Sequence, residues 1–252
     1  MPAPLPVIEV DTQAGSLLAH RDDEVITANL IRWGVWEARE TQFLRTLLRP
    51  GDTFVDVGAN IGYFSVLAAG CTGSSGYVIA FEPEPRNLEL LHMNLARHGV
   101  QANATVFPLA AYSRPCQMAL ATNEANRGDH ALAPHASTGL EVRCVRLDDV
   151  LPGSVDVIKI DTQGFDHDVV AGLSQTIAAN PALVILTELS LTKLGERGID
   201  VDGVLAGYLA RGLGIEGLDP WGTPFPLPAA DVVSQCAANG TDEISLVLRR
   251  AR

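Results

Sequence analysis

Short, nearly continuous apolar runs recur along the chain and alternate with segments of helical spacing. Residues 53–58 (TFVDVG), 77–82 (YVIAFE), 104–110 (ATVFPLA), 155–161 (VDVIKID) and 182–189 (ALVILTEL) are dominated by Val, Ile, Leu and Phe. Such runs fit the central strands of a parallel sheet, covered on both faces. Helical spacing predicts helices over 63–69, over 84–98 with Leu88, Leu91 and Leu95 on one face, and over 166–179 with Val170, Leu173 and Ile177 aligned. Two more are predicted near 200–211 and, upstream, over 36–48, which stops at Pro50-Gly51. Strand–helix–strand repetition implies right-handed crossovers and one doubly wound sheet. The rhythm breaks at 112–146. There Leu140, Val142 and Cys144 alternate with Glu141 and Arg143 as in a half-exposed strand. Residues 117–121 can pair with it, giving a small β insertion between the third and fourth strands. Its tip, 122–138, is rich in Asn, Gly, Asp and His. Residues 242–250 (DEISLVLRR) read as a last, antiparallel strand after a Pro-rich loop at 219–228. The expectation is a single α/β domain over 51–252, with 1–50 as a lead-in and helix packed on its core.

Composition narrows the class without deciding it. The 252 residues are 47% hydrophobic and 19% charged, which is globular, and the formal net charge of −12 disfavours a nucleic-acid partner. The four cysteines, Cys71, Cys116, Cys144 and Cys236, form no CxxC pair and read as buried reduced thiols. The start lacks the basic and apolar regions of a signal peptide, and no apolar run reaches a membrane span. A cytoplasmic location, no membrane partner and a small-molecule substrate are the expectations. The oligomeric state stays open, a homodimer among the options.

In an open α/β sheet, ligands bind beyond the carboxyl ends of the strands, where strand order reverses. The first predicted strand ends in Asp56-Val57-Gly58-Ala59-Asn60-Ile61-Gly62, and Glu82 ends the second. Glycines allow a sharp turn, the helix that follows offers free N–H groups, and a carboxylate at Glu82 can accept both ribose hydroxyls of an adenosine. A dinucleotide loop needs G-x-G-x-x-G to seat its pyrophosphate, and this loop is G-x-x-x-G. Asp56 would repel a phosphate and suits the ammonium of a methionine moiety. The loop favours S-adenosylmethionine (SAM) over NAD, and no G-K-[ST] follows to make a P-loop.

The segments FVDVGANIGYFS, VIAFEPEPRNLELLHMNL and VIKIDTQGFDHDVVAG, with WGVWEARETQFLRTLLRPGD upstream, together resemble the FkbM family of methyltransferases over about residues 33–190. The resemblance implies a class I methyltransferase (Rossmann-like) fold, SAM as cofactor, and O-methylation of a hydroxyl on a sugar or secondary metabolite. It implies Gly58, Asn60 and Gly62 in the SAM loop, Glu82 on the ribose, and Ala110 and Ala111 beside the adenine. One departure is Asp161-Thr162-Gln163-Gly164, where the family often has Val-Glu-Gly after the Asp.

Methyl transfer to a hydroxyl needs alignment and removal of a proton. Asp161, at the end of the fourth strand, is a candidate base, metal ligand or substrate anchor; it competes with Asp166 and Asp168 for a helix cap. Glu188 ends the fifth strand on the same edge, and Asp161 with Glu188 can hold Mg²⁺ or simply be solvated. His130, in Asn126-Arg127-Gly128-Asp129-His130, is a second candidate base, with Asp129 and Thr162 near the substrate. His135 lacks such neighbours, and His20, His92, His98 and His167 read as surface residues. Trp33 and Trp36 can cover the site or pack on the core; Glu37 can meet the cofactor's amino group or favour its own helix N-terminus. Trp221 is a candidate pocket wall. Competing readings are N- or C-methylation, an NAD-dependent oxidoreductase, and a non-catalytic SAM-binding or scaffold protein.

Overall fold

The computed structural model describes residues 6–134 and 139–250. A hairpin, β1 (Val7–Thr12) and β2 (Gly15–His20), leads into helices α1 (Ile26–Trp33) and α2 (Ala38–Leu47). Then follow β3 (Thr53–Val57), α3 (Tyr63–Thr72), β4 (Tyr77–Phe81), α4 (Pro85–Arg97) and β5 (Ala104–Phe107). The insertion holds β6 (Ala110–Ala111), β7 (Cys116–Ala121), β8 (Ala131–Ala133) and β9 (Leu140–Val145). The chain continues through β10 (Val157–Ile160), α5 (Asp166–Ala171), α6 (Ser174–Ala179), β11 (Val184–Ser190), α7 (Leu191–Glu196) and α8 (Val201–Ala210). It closes with β12 (Leu213–Leu218), β13 (Pro224–Pro226), α9 (Val232–Asn239) and β14 (Glu243–Arg250).

Eight strands form the main sheet in the order β13-β12-β14-β11-β10-β3-β4-β5. From β11 to β5 every pairing is parallel, while β14 and β12 pair antiparallel. Strand alternation sends Phe54 and Val55 to opposite faces, and two separate cores result. Val55, Val57, Ile158, Ile160 and Leu246 pack under α5, α6 and α8. Phe54, Val78, Val157 and Val247 pack under α2, α3 and α4, together with Val10, Leu17 and Leu30 from the first 50 residues. This is the expected doubly wound α/β arrangement with an antiparallel last strand.

The insertion is a four-stranded sheet, β6-β9-β7-β8, larger than the two paired strands expected. The β7–β9 pairing is antiparallel as expected, with Leu120 opposite Leu140. The helix expected over 166–179 is instead two helices. Asp148 is the cause: its carboxylate accepts the Gln175 and Thr176 amides at 2.9 and 2.8 Å and starts α6 afresh. The β1–β2 hairpin was not expected. Asn94 of α4 holds its edge, donating to the Leu18 carbonyl and accepting the Leu18 amide at 2.9 and 2.7 Å. All four cysteines are free; Cys144 and Cys236 are buried, and Cys71 and Cys116 half-buried. No described helix is long and apolar enough to cross a membrane.

Candidate active site

Chain order runs β3, β4, β5 outward and then returns to β10 on the other side of β3. A cavity of about 580 Å³ opens at that reversal, beyond the carboxyl ends of these strands. This is the size of a small-molecule or cofactor pocket.

Gly58 leaves β3 at φ +80, and a Cβ there would meet the Asp161 carbonyl oxygen at 1.9 Å. The amides of the loop itself, before the helix, are all satisfied within the fold. Gly58 and Ala59 donate to the Phe81 carbonyl, Asn60 to Glu82 Oε2 at 2.8 Å, Ile61 to its neighbour Asn60 Oδ1, and Gly62 to Ala59. The loop therefore shapes a wall rather than an anion nest. Glu82 is buried on that wall, its second oxygen accepting the Glu84 amide at 2.8 Å. Burial pushes its carboxyl up to about 8, against the pull of those two amides. Ala110 and Ala111 line the next stretch with Phe81, Leu109, Leu120 and Leu132.

Across the cavity lies a group that sequence reading missed. Lys159 sits in the middle of β10 and is only 4% exposed. Its Nζ is 3.0 Å from Asp161 Oδ2, 3.4 Å from Glu37 Oε2 and 4.4 Å from the centre of the Phe64 ring. Burial works against this ammonium, but Asp161, Glu37 and Asp56 outweigh it and hold the proton on. The signal was present as a single charge inside the apolar run VDVIKID. Asp161 also accepts Gln163 Nε2 at 2.8 Å. Glu188 lies on the same wall; burial, then repulsion from Asp161 and Glu243, pushes it up to about 10, so it carries a proton at neutral pH. Thr162 lines the cavity and donates its hydroxyl to Asp166, and Trp36 lines it half-exposed.

The insertion reaches over the mouth as a strap. The Arg127 carbonyl accepts Asn60 Nδ2 at 2.8 Å, its amide donates to Asp23, and Asp129 accepts Lys193 Nζ at 2.6 Å. Lys193 also donates to Gln163. The three non-glycine residues of positive φ among the described residues, Glu37, Asn60 and Gln163, all line this cavity. Backbone strain of this kind concentrates at ligand sites.

Several expectations need correction. Asp56 is buried away from the cavity, and its carboxylate accepts the Ser65 hydroxyl at 2.6 Å. Gly62 does not face the cavity either; a Cβ there would press on Leu91 of α4 at 2.6 Å. His130 lines the cavity but is not built as a base. Its Nδ1 accepts the Asn123 amide at 2.9 Å, so its ring proton is on Nε2, and burial lowers its proton affinity. Among the described residues no group of three or more His, Cys, Asp or Glu is placed to hold a metal ion. The option of Mg²⁺ between Asp161 and Glu188, set against simple solvation, finds no support, and the cation beside Asp161 is the Lys159 ammonium. Trp33 and Trp221 are 61% and 75% exposed and stand off the cavity. His20 is buried rather than superficial, with Nε2 on Asn87 Oδ1 at 2.9 Å. His167 is half-buried on α5, 3.3 Å from Asp168, whereas His92 and His98 are exposed as expected. His135 lies outside the described residues.

Known proteins share stretches of this sequence and its fold. The family model described as the methyltransferase FkbM domain matches residues 56–213. The chain is 32% identical over 159 aligned residues to the 31-O-demethyl-FK506 methyltransferase FkbM of Streptomyces tacrolimicus, covering 50% of this chain and 61% of that protein. The match thus spans about three fifths of that relative's length. Among solved structures, methyltransferase FkbM from Methylobacillus flagellatus KT shares the fold at TM-score 0.50 and 16% identity, over 82% of this chain and 50% of the other. TYW2 of P. horikoshii in complex with MeSAdo does so at TM-score 0.52 and 13% identity, over 98% and 71%.

Proposed function

The chain belongs to the FkbM methyltransferase domain family, and from that premise we propose that it transfers a methyl group from SAM to a hydroxyl oxygen of a small molecule. One observation carries the reading: a single cavity has the buried Glu82 carboxylate on one wall and the Glu37–Lys159–Asp161 group on the other. These residues fit the cofactor. Glu82 supplies acceptors for two ribose hydroxyls, Ala110, Ala111 and Leu120 make an apolar slot for a flat base, and the charged wall matches an amino acid's paired charges. The internally satisfied loop amides speak against a pyrophosphate, and so against the NAD reading.

When bound, SAM supplies an electrophilic methyl group on a sulfonium. The chain's residues then have two tasks. Gly58 and Asn60 fix the wall along which the cofactor lies. Asp161, held by Lys159 and Gln163, takes the proton of the acceptor hydroxyl. That proton becomes strongly acidic as the oxygen gains its third bond, so a carboxylate in contact with it suffices as base. Glu188, protonated, donates a hydrogen bond to the acceptor. Oxygen as the target is supported by the relative's name, which denotes an O-demethyl substrate. The net charge of −12 supports a small molecule over a nucleic acid.

Calorimetric titration with S-adenosylhomocysteine tests the cofactor site. Micromolar binding is expected, and Glu82→Ala should weaken it by about 1–3 kcal/mol. No binding to the unaltered protein would overturn the proposal. Acidity gives a second check. The ribose hydroxyls bond to the ionised form of Glu82, so binding must lower its raised pKa and release a proton below about pH 8. Affinity should rise with pH by up to about tenfold per unit and level off above 8. A Glu82→Ala protein should lose that slope; a flat profile in the unaltered protein would show that Glu82 does not meet the ribose.

A further inference from the structure

His130 carries a hydrogen-bond donor that no described residue accepts. A main-chain N–H can only donate, so the 2.9 Å contact from the Asn123 amide makes Nδ1 the acceptor and leaves the ring proton on Nε2. That Nε2 is buried and has no hydrogen-bond partner among the described residues. A buried donor without an acceptor is destabilising, so its retention points to a partner that arrives with a ligand.

Placement shows which part of a ligand it meets. His130 immediately precedes β8, and strand alternation puts it on the same face as Leu132. Leu132 pairs with Leu120 across β7–β8, and all three side chains line the cavity beside Ala110 and Ala111. The strap carrying His130 is tied through the Arg127 carbonyl to Asn60, whose own amide rests on Glu82. His130 therefore stands over the apolar slot next to the ribose acid, while its neighbour Asp129 is the residue that reaches the Lys159 wall, through Lys193 and Gln163. The polarity is complementary. Ribose hydroxyls donate and meet a carboxylate. The ring nitrogens of adenine accept, and need a donor.

We propose that His130 Nε2–H hydrogen-bonds a ring nitrogen of the cofactor's adenine, so that the insertion reads the base while the glycine loop reads the sugar. The inference rests on the SAM assignment above and gives His130 a binding role in place of a catalytic one.

Calorimetry on His130→Phe and His130→Gln, with S-adenosylhomocysteine and its 1-, 3- and 7-deaza forms, separates the possibilities. The Phe variant should bind S-adenosylhomocysteine about 5- to 20-fold more weakly, and Gln, which keeps a donor, should recover part of the loss. One deaza form should be weakened by a similar factor on the unaltered protein and by nothing further on His130→Phe. Equal binding by the unaltered protein and His130→Phe would overturn the proposal. So would deaza losses that persist undiminished in the variant. If S-adenosylhomocysteine fails to bind the unaltered protein, the cofactor assignment falls first and this inference with it. ¹⁵N NMR of the unaltered protein's imidazole gives a check that needs no variant. It should show protonated Nε2 whose resonance moves on adding 5′-methylthioadenosine, and an Nδ1-protonated ring or an unmoved signal would refute the assignment.

Discussion

Gly58→Ala should destabilise the protein by more than about 3 kcal/mol and abolish S-adenosylhomocysteine binding, as two effects add at one atom. The backbone at φ +80 costs an L-residue about 1–2 kcal/mol by itself. The new Cβ would also sit 1.9 Å from the Asp161 carbonyl oxygen, so β3 and β10 must separate where their ends frame the cavity. Asp161, whose amide donates to Val57 at 2.9 Å, would move with that displacement. Gly240→Ala isolates the first effect: its φ is +68 and its ψ +29, in the left-handed helical region, and its Cβ would meet nothing within 4 Å. That variant should lose only about 1 kcal/mol and bind ligand normally. Urea unfolding and calorimetry on the pair decide the matter. Equal, small losses would show that the strand ends do not press on Gly58.

Lys159→Met should cost about 3–5 kcal/mol at neutral pH, the usual result of removing one member of a buried ionic group. The linear replacement fills the same strand position but leaves Glu37 and Asp161 without their shared cation and Asp56 without a nearby one. Burial already pushes Glu37 up to about 8 and Asp56 up to about 6, with Lys159 the main opposing influence. Without it both must rise further. A carboxyl whose folded pKa is raised contributes stability that is present below its unfolded value and lost as pH rises through the folded value. The deficit of the variant should thus be smallest near pH 4 and widen toward pH 8. Urea midpoints across that range measure it, and a deficit independent of pH would argue against ionised carboxylates around Lys159. Binding should fall as well on the proposed reading, in which this wall takes the cofactor's amino-acid end.

Much of the architecture was legible because central strands announce themselves. A run such as ALVIL is apolar on both sides of the pleat, and five such runs alternating with helical spacing fit a covered sheet. The β7–β9 pairing was legible for the opposite reason, since its alternation marks one wet face. The β1–β2 hairpin escaped because its edge is satisfied by Asn94, a residue 76 positions from Leu18 that no local pattern connects to it. At the site, Glu82, Asn60 and Gly58 follow from a loop of fixed geometry. Asp56 and Gly62 belong to the same motif yet face away from the cavity, because a motif records spacing and not direction. His130 was legible as a polar residue near the ligand, but its role depends on which ring nitrogen the Asn123 amide occupies. Lys159 was passed over because a lysine in an apolar strand is read as an interruption. Its meaning comes from Glu37, a residue more than a hundred positions away.

The place of β14 bears on how this protein comes to be made. It is the last of the eight strands in the chain, yet it lies between β11 and β12. While the ribosome is still making α7 to α9, the free edge of β11 has no neighbour, and β12 emerges with an open edge of its own. Val184, Ile185 and Leu186 lie along that waiting edge, a β-prone stretch of the kind that recruits other chains. Nascent chains stalled before residue 243 should therefore be the aggregating species and the natural clients of a holdase. Cofactor added during synthesis should not rescue them, because Glu243 of β14 helps to line the cavity and the wall behind Glu188 stays open until that strand docks.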